Sequence, residues 1–396
     1  LYYKTFVNKK DVMDCYRPRC DKQSVLRHLH IPTNYFSVRI LDRISQETDG
    51  HFVFSPISTW LQLVSLSEGA NGTTLTEILK NTRHYQTKCL RKLVKDLFNS
   101  VDKDLRVTLK HRSVIVIDDL LEVKPRFVNQ VENLNAVSVL NANFRTRSRS
   151  AHKVNDIIKN YTNGTFTTGL YPYDFIRSVL LMIDAACMKA NWKTPFNPVY
   201  TKIEKFYSYQ KVLVGHVKMM NQIGYFRTVY IPVIDAITLE LPFNDRLTML
   251  FFLPTKGTAA DLFWSMHKIR LQVIFKYLKS KAPRLVNVKI PRFKVTSDVE
   301  NIPEILYDMG IQKMFFPGLA DLKKISNYNI YVSMMISKAD IEVTETGVSG
   351  TIGPDLLLAG KNYLRITFNR PFAYLVVDKV TNVIFFAGVY SEPSLF

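Results

Sequence analysis

The chain has 396 residues, 47% of them hydrophobic and 22% charged, values that exclude a disordered polymer and fit one large domain or two of average size. No run of 18 consecutive apolar residues occurs, so no simple membrane span is expected. A formal net charge of +19 favours polyanionic partners such as heparin-like glycan, nucleic acid or acidic membrane, in salt-sensitive association, and is silent about fold.

Residues 1–31 are polar, basic and rich in turn formers, and read as a loosely attached N-terminal extension ahead of one continuous domain over 32–396. The chain opens at Leu1 rather than Met, the pattern of a processed terminus. Cys15 and Cys20 flank a Pro turn in DCYRPRCDK, close enough to bridge. One such pair cannot supply four zinc ligands, and no metal site is expected. Three N-x-[ST] sequons, at Asn71, Asn160 and Asn163, fit a secreted glycoprotein, in which a Cys15–Cys20 disulfide is plausible. His28 and His30 read as ordinary surface residues.

Helical periodicity dominates the first third. Phe36, Ile40 and Ile44 share a stripe with Leu41 beside it. TWLQLVSLSEGANG reads as a helix stopped by Gly72, and TTLTEILKNT as the next. In YQTKCLRKLVKDLF, Leu90, Leu93, Val94 and Leu97 make a buried face, with Lys88, Lys92 and Lys95 opposite and Arg91 at the flank. That row of cations matches a linear polyanion and equally fits a solvated helix face. Arg145, Arg147 and Arg149 read as a loop surface. Neither cluster interleaves aromatics, which argues against specific nucleic-acid stacking. Strand patterns dominate later, in RVTLKHRSVIVI, AITLELPF, LTMLFFLP, LVNVKIPRFKV and VIFFAGVY. Early helices followed by many strands predict an α+β fold with large antiparallel sheets.

No catalytic constellation is present. GVSGT at 347–351 misses the G-x-S-x-G elbow by one residue and no helix pattern follows it. An enzyme is not expected, nor a cofactor.

HFVFSPISTWLQLVSLSEGANGTTLTEIL near the start and FNRPFAYLVVDKVTNVIFFAGVYSEP near the end resemble the serpin family. ANWKTPFNP, LTMLFFLP, VKIPRFKV, DMGIQKMF and SKADIEVTETG lie between them in family order, so the resemblance covers roughly residues 32–396. It implies three β-sheets, about nine helices and an exposed reactive-centre loop near the C-terminus. In inhibitory members a protease cuts the loop, and the part before the cut inserts as a new central strand, distorting the attached protease. Counting from the glutamate matched by Glu345 places the cut at Lys361–Asn362, a lysine suited to a trypsin-like protease. Leu358 or Tyr363 as bait would instead imply a chymotrypsin-like or cathepsin-like target.

From Gly347 the hinge would place Val348, Gly350, Ile352, Pro354, Leu356 and Leu358 facing inward, since strands alternate. Small residues are usual there. Ile352 adds methylenes to a packed interface and Pro354 removes a ladder donor, so insertion is expected to be impaired. The resemblance also assigns a sheet-opening region around Ser55, Ser58 and Trp192, where the usual asparagine is replaced by Asp184 and the usual histidine by Ser337. A buried carboxylate there needs donors or a shifted pKa. The expectation is a secreted, monomeric, non-inhibitory or poorly inhibitory serpin acting as a binding module, with Lys88, Arg91, Lys92 and Lys95 contacting heparin-like glycan. The alternative is a suicide-substrate inhibitor of a trypsin-like protease.

Overall fold

The structure, a computed structural model, describes residues 20–48, 50–104, 109–189, 191–268, 271–346 and 363–396. The hinge positions Gly347, Val348, Gly350, Ile352 and Pro354, the bond Lys361–Asn362, and Cys15 lie outside the described residues.

In chain order, α1 (Lys22–Val25) runs through a π-helical turn (Leu26–His30) into α2 (Ile31–Glu47). There follow β1 (Phe52–Phe54), α3 (Pro56–Ser67), α4 (Gly72–Thr82), α5 (Lys88–Asp104), β2 (Leu109–Asp118), α6 (Pro125–Glu132), β3 (Val137–Ala142) and α7 (Arg147–Tyr161). The middle of the chain supplies β4 (Leu180–Lys189), β5 (Lys202–Tyr207), β6 (Leu213–Ile231), β7 (Ala236–Pro242) and β8 (Leu247–Pro254). Then come α8 (Asp261–Lys268), α9 (Leu271–Lys279), β9 (Arg284–Pro291), β10 (Phe293–Val299), α10 (Ile302–Asp308), β11 (Met334–Val343), β12 (Leu364–Thr367), β13 (Phe372–Asp378) and β14 (Ile384–Tyr390).

A five-stranded sheet has the order β10-β11-β4-β2-β3. The remaining strands follow the path β1-β14-β13-β8-β7-β6-β9-β12, with β5 also on β6. Strand β6 belongs to two sheets: Met219–Phe226 pair with β9 and Arg227–Ile231 with β7. One long strand thus fuses two of the three expected sheets along a shared backbone.

Burial follows the sequence pattern. Phe36, Ile40, Leu41 and Ile44 on α2 are fully buried, as the stripe requires. All twelve residues of α3 are buried, Trp60 included, and with them the polar stripe of Ser58, Gln62 and Ser65. Strands β8, β13 and β14 are buried along their whole length, so they are covered on both faces and read as apolar runs rather than alternations. In β14, a Cβ at Gly388 would lie 2.1 Å from the Phe52 carbonyl oxygen, so β1 can approach only a glycine there.

Several local expectations are corrected. Helix α3 ends at Ser67, and Gly72 opens α4 with φ 51° instead of stopping α3. Cys20 is bonded to Cys89 on α5, Cα–Cα 5.8 Å, so the Cys15–Cys20 pairing is wrong. A cysteine 69 residues away gives no local spacing signal. Residues 22–31 are helical and continuous with α2 rather than loosely attached. His28, Leu29 and His30 are buried, because the turn that precedes α2 packs beneath α5 and α9 rather than facing water. His30 lies 6.2 Å from the Phe275 ring, and burial pushes its pKa down to about 4. Arg147 and Arg149 lie in the first turn of α7, not on a loop, and are exposed as expected.

Candidate functional site

The centre of the five-stranded sheet is the seam between β4 and β11. These strands pair in parallel from Met334↔Leu181 to Glu342↔Lys189. No strand separates them. Alternation sorts their side chains: Leu181, Ile183, Ala185 and Cys187 face the smaller core under α7, while Met182, Ala186 and Met188 face the main core. Asp184 therefore points into the main core, and by the same rule so does Ser337, between Met335 and Ala339.

Asp184 and Ser337 are register partners. The Ser337 hydroxyl donates to Asp184 Oδ1 at 2.9 Å. Asp184 is fully buried, and its Oδ2 has no partner among the described residues. Burial raises its pKa well above the ordinary carboxylate range, and the hydroxyl only partly offsets this. On the other flank, Ser113 of β2 pairs in register with Asp184, its own hydroxyl buried without a partner. Below the sheet, the Ser55 and Ser58 hydroxyls lie 2.7 Å apart at the start of α3. No hydrogen bond joins that pair to Asp184 or Ser337 among the described residues. Two separate polar pairs thus stand in the sheet-opening region that the resemblance implied. Ser113 was invisible in the sequence, since register is a property of tertiary pairing.

At the far end of the seam, the three residues beyond β11 are clamped. Trp192 is fully buried, its Nε1 donating to the Thr344 carbonyl at 2.7 Å and its backbone N–H to that of Thr346 at 3.0 Å. Its ring stacks on Phe243, centroids 4.8 Å apart. Glu345 is buried, accepting from Thr201 Oγ1 at 2.7 Å and lying 3.5 Å from Arg292 Nη1. Its carbonyl takes the Phe196 N–H. Sequence reading singled out Glu345 and Trp192 but not Thr201 or Arg292, which lie 144 and 53 residues from Glu345 in the chain.

The basic helix α5 buries Leu90, Leu93, Val94 and Leu97 and exposes Lys88, Lys92 and Lys95. Lys92 Nζ pairs with Asp96 at 2.5 Å, and Lys95 Nζ donates to Asn133 at 2.8 Å. Arg91 departs from the expected track. Its Nε and Nη2 both reach the Glu68 carboxylate at 2.9 Å, a bidentate pair with Glu68 buried and Arg91 mostly covered. A guanidinium so engaged is a structural group, not a free contact for glycan. The Cys20 bond anchors the same helix.

Of the three sequon asparagines, Asn160 and Asn163 are exposed at the end of α7, and Asn71 is half-buried as the N-cap of α4. Among the described residues no three metal-ligating side chains come together, and no helix is long and apolar enough to cross a membrane.

The family model "Serpin (serine protease inhibitor)" matches residues 32–393. The chain belongs to the serpin family. Among curated relatives, this serpin is 27% identical to human Serpin A9 over 392 residues, 96% of this chain and 92% of that one. It is 29% identical to the human Protein Z-dependent protease inhibitor, covering 92% of this chain and 82% of that one. Among solved structures, native protease nexin-1 with heparin has a TM-score of 0.82 at 23% identity, covering 94% of this serpin and all of that chain. Maspin has a TM-score of 0.84 at 23% identity and the same coverage. These structures establish the fold.

Proposed function

We propose that this serpin does not trap proteases by strand insertion and acts as a secreted, monomeric binding protein for heparin-like glycan. The observation that carries the first half is the Ser337–Asp184 hydrogen bond across the β4–β11 seam. A strand inserted there would move the two side chains about 9–10 Å apart, two interstrand spacings. Every inward position from Val348 to Leu358 is apolar or glycine, so the incoming strand offers that face no replacement donor. Leaving buried polar groups unpaired costs roughly 1–3 kcal/mol each. Pro354 adds a missing ladder N–H. Insertion competes with release of the protease, so each of these penalties favours release.

The glycan half rests on Lys88, Lys92 and Lys95, exposed along one face of α5 in a protein of net charge +19. Protease nexin-1 with heparin is a structural neighbour. Asn71, Asn160 and Asn163 fit a secretory route.

A second reading, inhibition of a trypsin-like protease cut at Lys361–Asn362, is favoured by one feature of the sheet. Because β4 and β11 are parallel neighbours, a segment returning from the end of β11 between them would run antiparallel to both, the stronger pairing geometry. Brief incubation with trypsin decides between the two. Cleavage after Lys361 with no complex surviving a denaturing gel, and no large rise in melting temperature, supports the proposal. A denaturation-resistant complex overturns it.

A further inference from the structure

We infer that the junction of α2, α4 and the turn after α10 is a binding site for a single sulfate or phosphate ester, separate from helix α5. A surface cavity of about 210 Å³ lies there, lined by Tyr35, Arg39, Lys80, Asn81, Arg83 and the Met309–Gly310 turn. Three of its side chains are cations and none is an acid. Arg39, Lys80 and Arg83 form no ion pair among the described residues, so their charge is uncompensated locally. Glu77, one turn before Asn81, is occupied by the backbone N–H groups of Gln312 and Lys313, each 2.9 Å from its Oε2.

Two of the cations are held in place. Arg83 terminates α4 in the left-handed region, φ 52°, and its guanidinium carbon stands 3.4 Å from the centre of the Tyr35 ring. Arg39 stands 5.3 Å from the centre of the same ring and is anchored by donating through Nη1 to Asn81 Oδ1 at 2.9 Å and through Nη2 to the Met309 carbonyl. Arg39 thus serves the end of α10. The side-chain N–H groups of Arg83 have no acceptor among the described residues. Neutralising the carbonyl end of α4 would need only Lys80, which sits in its last turn. A second cation with idle donors, stacked on an aromatic ring beside a cavity, is the arrangement that receives an oxyanion. Planar guanidinium groups meet sulfate and phosphate oxygens with paired, charge-assisted hydrogen bonds. The volume suits one esterified sugar-sized unit rather than a polymer chain.

Calorimetric titration of the whole protein in low-salt, phosphate-free buffer tests this, using N-acetylglucosamine 6-sulfate and glucose 6-phosphate, with glucose as blank. Saturable binding of either ester, weakened about tenfold or more in Arg83→Gln and in Lys80→Gln, is expected. Preference between the two esters identifies the source as sulfated glycan or phosphorylated metabolite. Both substituted residues are exposed, and unchanged melting temperatures would verify folding. The triple variant Lys88→Ala, Lys92→Ala, Lys95→Ala should bind the esters as wild type does, so failure of the glycan reading leaves this one standing. Absence of saturable binding overturns the inference. So does binding unaffected by Arg83→Gln and Lys80→Gln, or binding abolished by the triple change.

Discussion

The Ser337 hydroxyl donates to Asp184 Oδ1 at 2.9 Å across the parallel seam between β4 and β11. The second carboxylate oxygen has no partner among the described residues, and the carboxyl group is fully buried, so it holds its proton well above the usual range. A protonated carboxyl is both a donor and an acceptor, closer in role to an amide than to an anion.

Asp184→Asn should therefore stabilise the protein at neutral pH and flatten its pH dependence. Below about pH 4 the carboxyl is protonated in folded and unfolded chains alike. Above that the unfolded chain releases the proton while the folded chain keeps it. Stability then falls with rising pH, by up to about 1.4 kcal/mol per unit, until the raised folded pKa is passed. Chemical unfolding at pH 5 and pH 8 measures it. An equal pH slope in wild type and variant would show that Asp184 does not titrate in this way.

His111 gives a dependence of the opposite sign. Its side chain is half-buried on β2 against α5, 5.2 Å from the Phe98 ring, and both ring nitrogens are buried with no partner among the described residues. Burial first, and Arg112 second, pushes its pKa down to about 3. Unfolded, it takes a proton below about pH 6.5, so stability is lost as pH falls from there towards 3. His84, at about 3, adds to the same slope. His111→Phe should remove one proton's share of the acid slope and raise stability at pH 5. Proton uptake on unfolding, followed by calorimetry in two buffers, would fall by close to one at that pH.

How much could be read in advance depended on the range of the interaction. Helix α2 and strand β8 were legible because their periodicity is local, and the family resemblance ordered everything from residue 32. Asp184 and Ser337 were named from that resemblance, but Ser113 was not, because strand register is decided by the turns and cores at both ends of a sheet. Arg91 looked like a free cation since its partner Glu68 is 23 residues away. Cys20 was matched to the nearer cysteine for the same reason. The cavity of Arg39, Lys80 and Arg83 joins three segments that only packing brings together.

Arg91 and the lysines of α5 should separate by assay. Arg91→Ala leaves the buried Glu68 carboxylate unpaired and should destabilise by about 1–3 kcal/mol, between exposed and fully buried pairs. Its effect on heparin-column retention should be small. Changing Lys88, Lys92 and Lys95 to Ala should lower the eluting salt concentration while leaving unfolding nearly unchanged. The reverse pattern would return Arg91 to the binding surface.

The Cys20–Cys89 bond closes a loop of about 70 residues around α2, α3 and α4. In the chain-entropy account such a link is worth roughly 4 kcal/mol. Cys20→Ser should therefore lower the unfolding midpoint to that of the reduced wild type, and Cys89→Ser should do no more. Peptide mapping without reductant must recover residues 20 and 89 in one fragment. Recovery of Cys20 joined to Cys15 would restore the pairing that local spacing suggested.

In the proposed reading, Pro354 and Ile352 act at the step on which trapping depends. Replacing Pro354 by Ala returns a ladder N–H to the incoming strand, and Ile352→Ala removes methylenes worth roughly 1–3 kcal/mol of overpacking. Neither change touches Lys361, so trypsin should cut at the same bond. The double variant should form a detectable covalent complex where wild type gives mainly cleaved product, and the cleaved variant should melt higher than cleaved wild type. Adding Asp184→Asn should increase the trapped fraction further, because an amide has two N–H donors and a carbonyl with which to meet the inserted backbone. If all three changes leave the ratio of complex to cleaved product where it began, the barrier to insertion lies elsewhere. The clamp of Trp192, Thr201 and Arg292 on residues 344–346 would be the next place to cut.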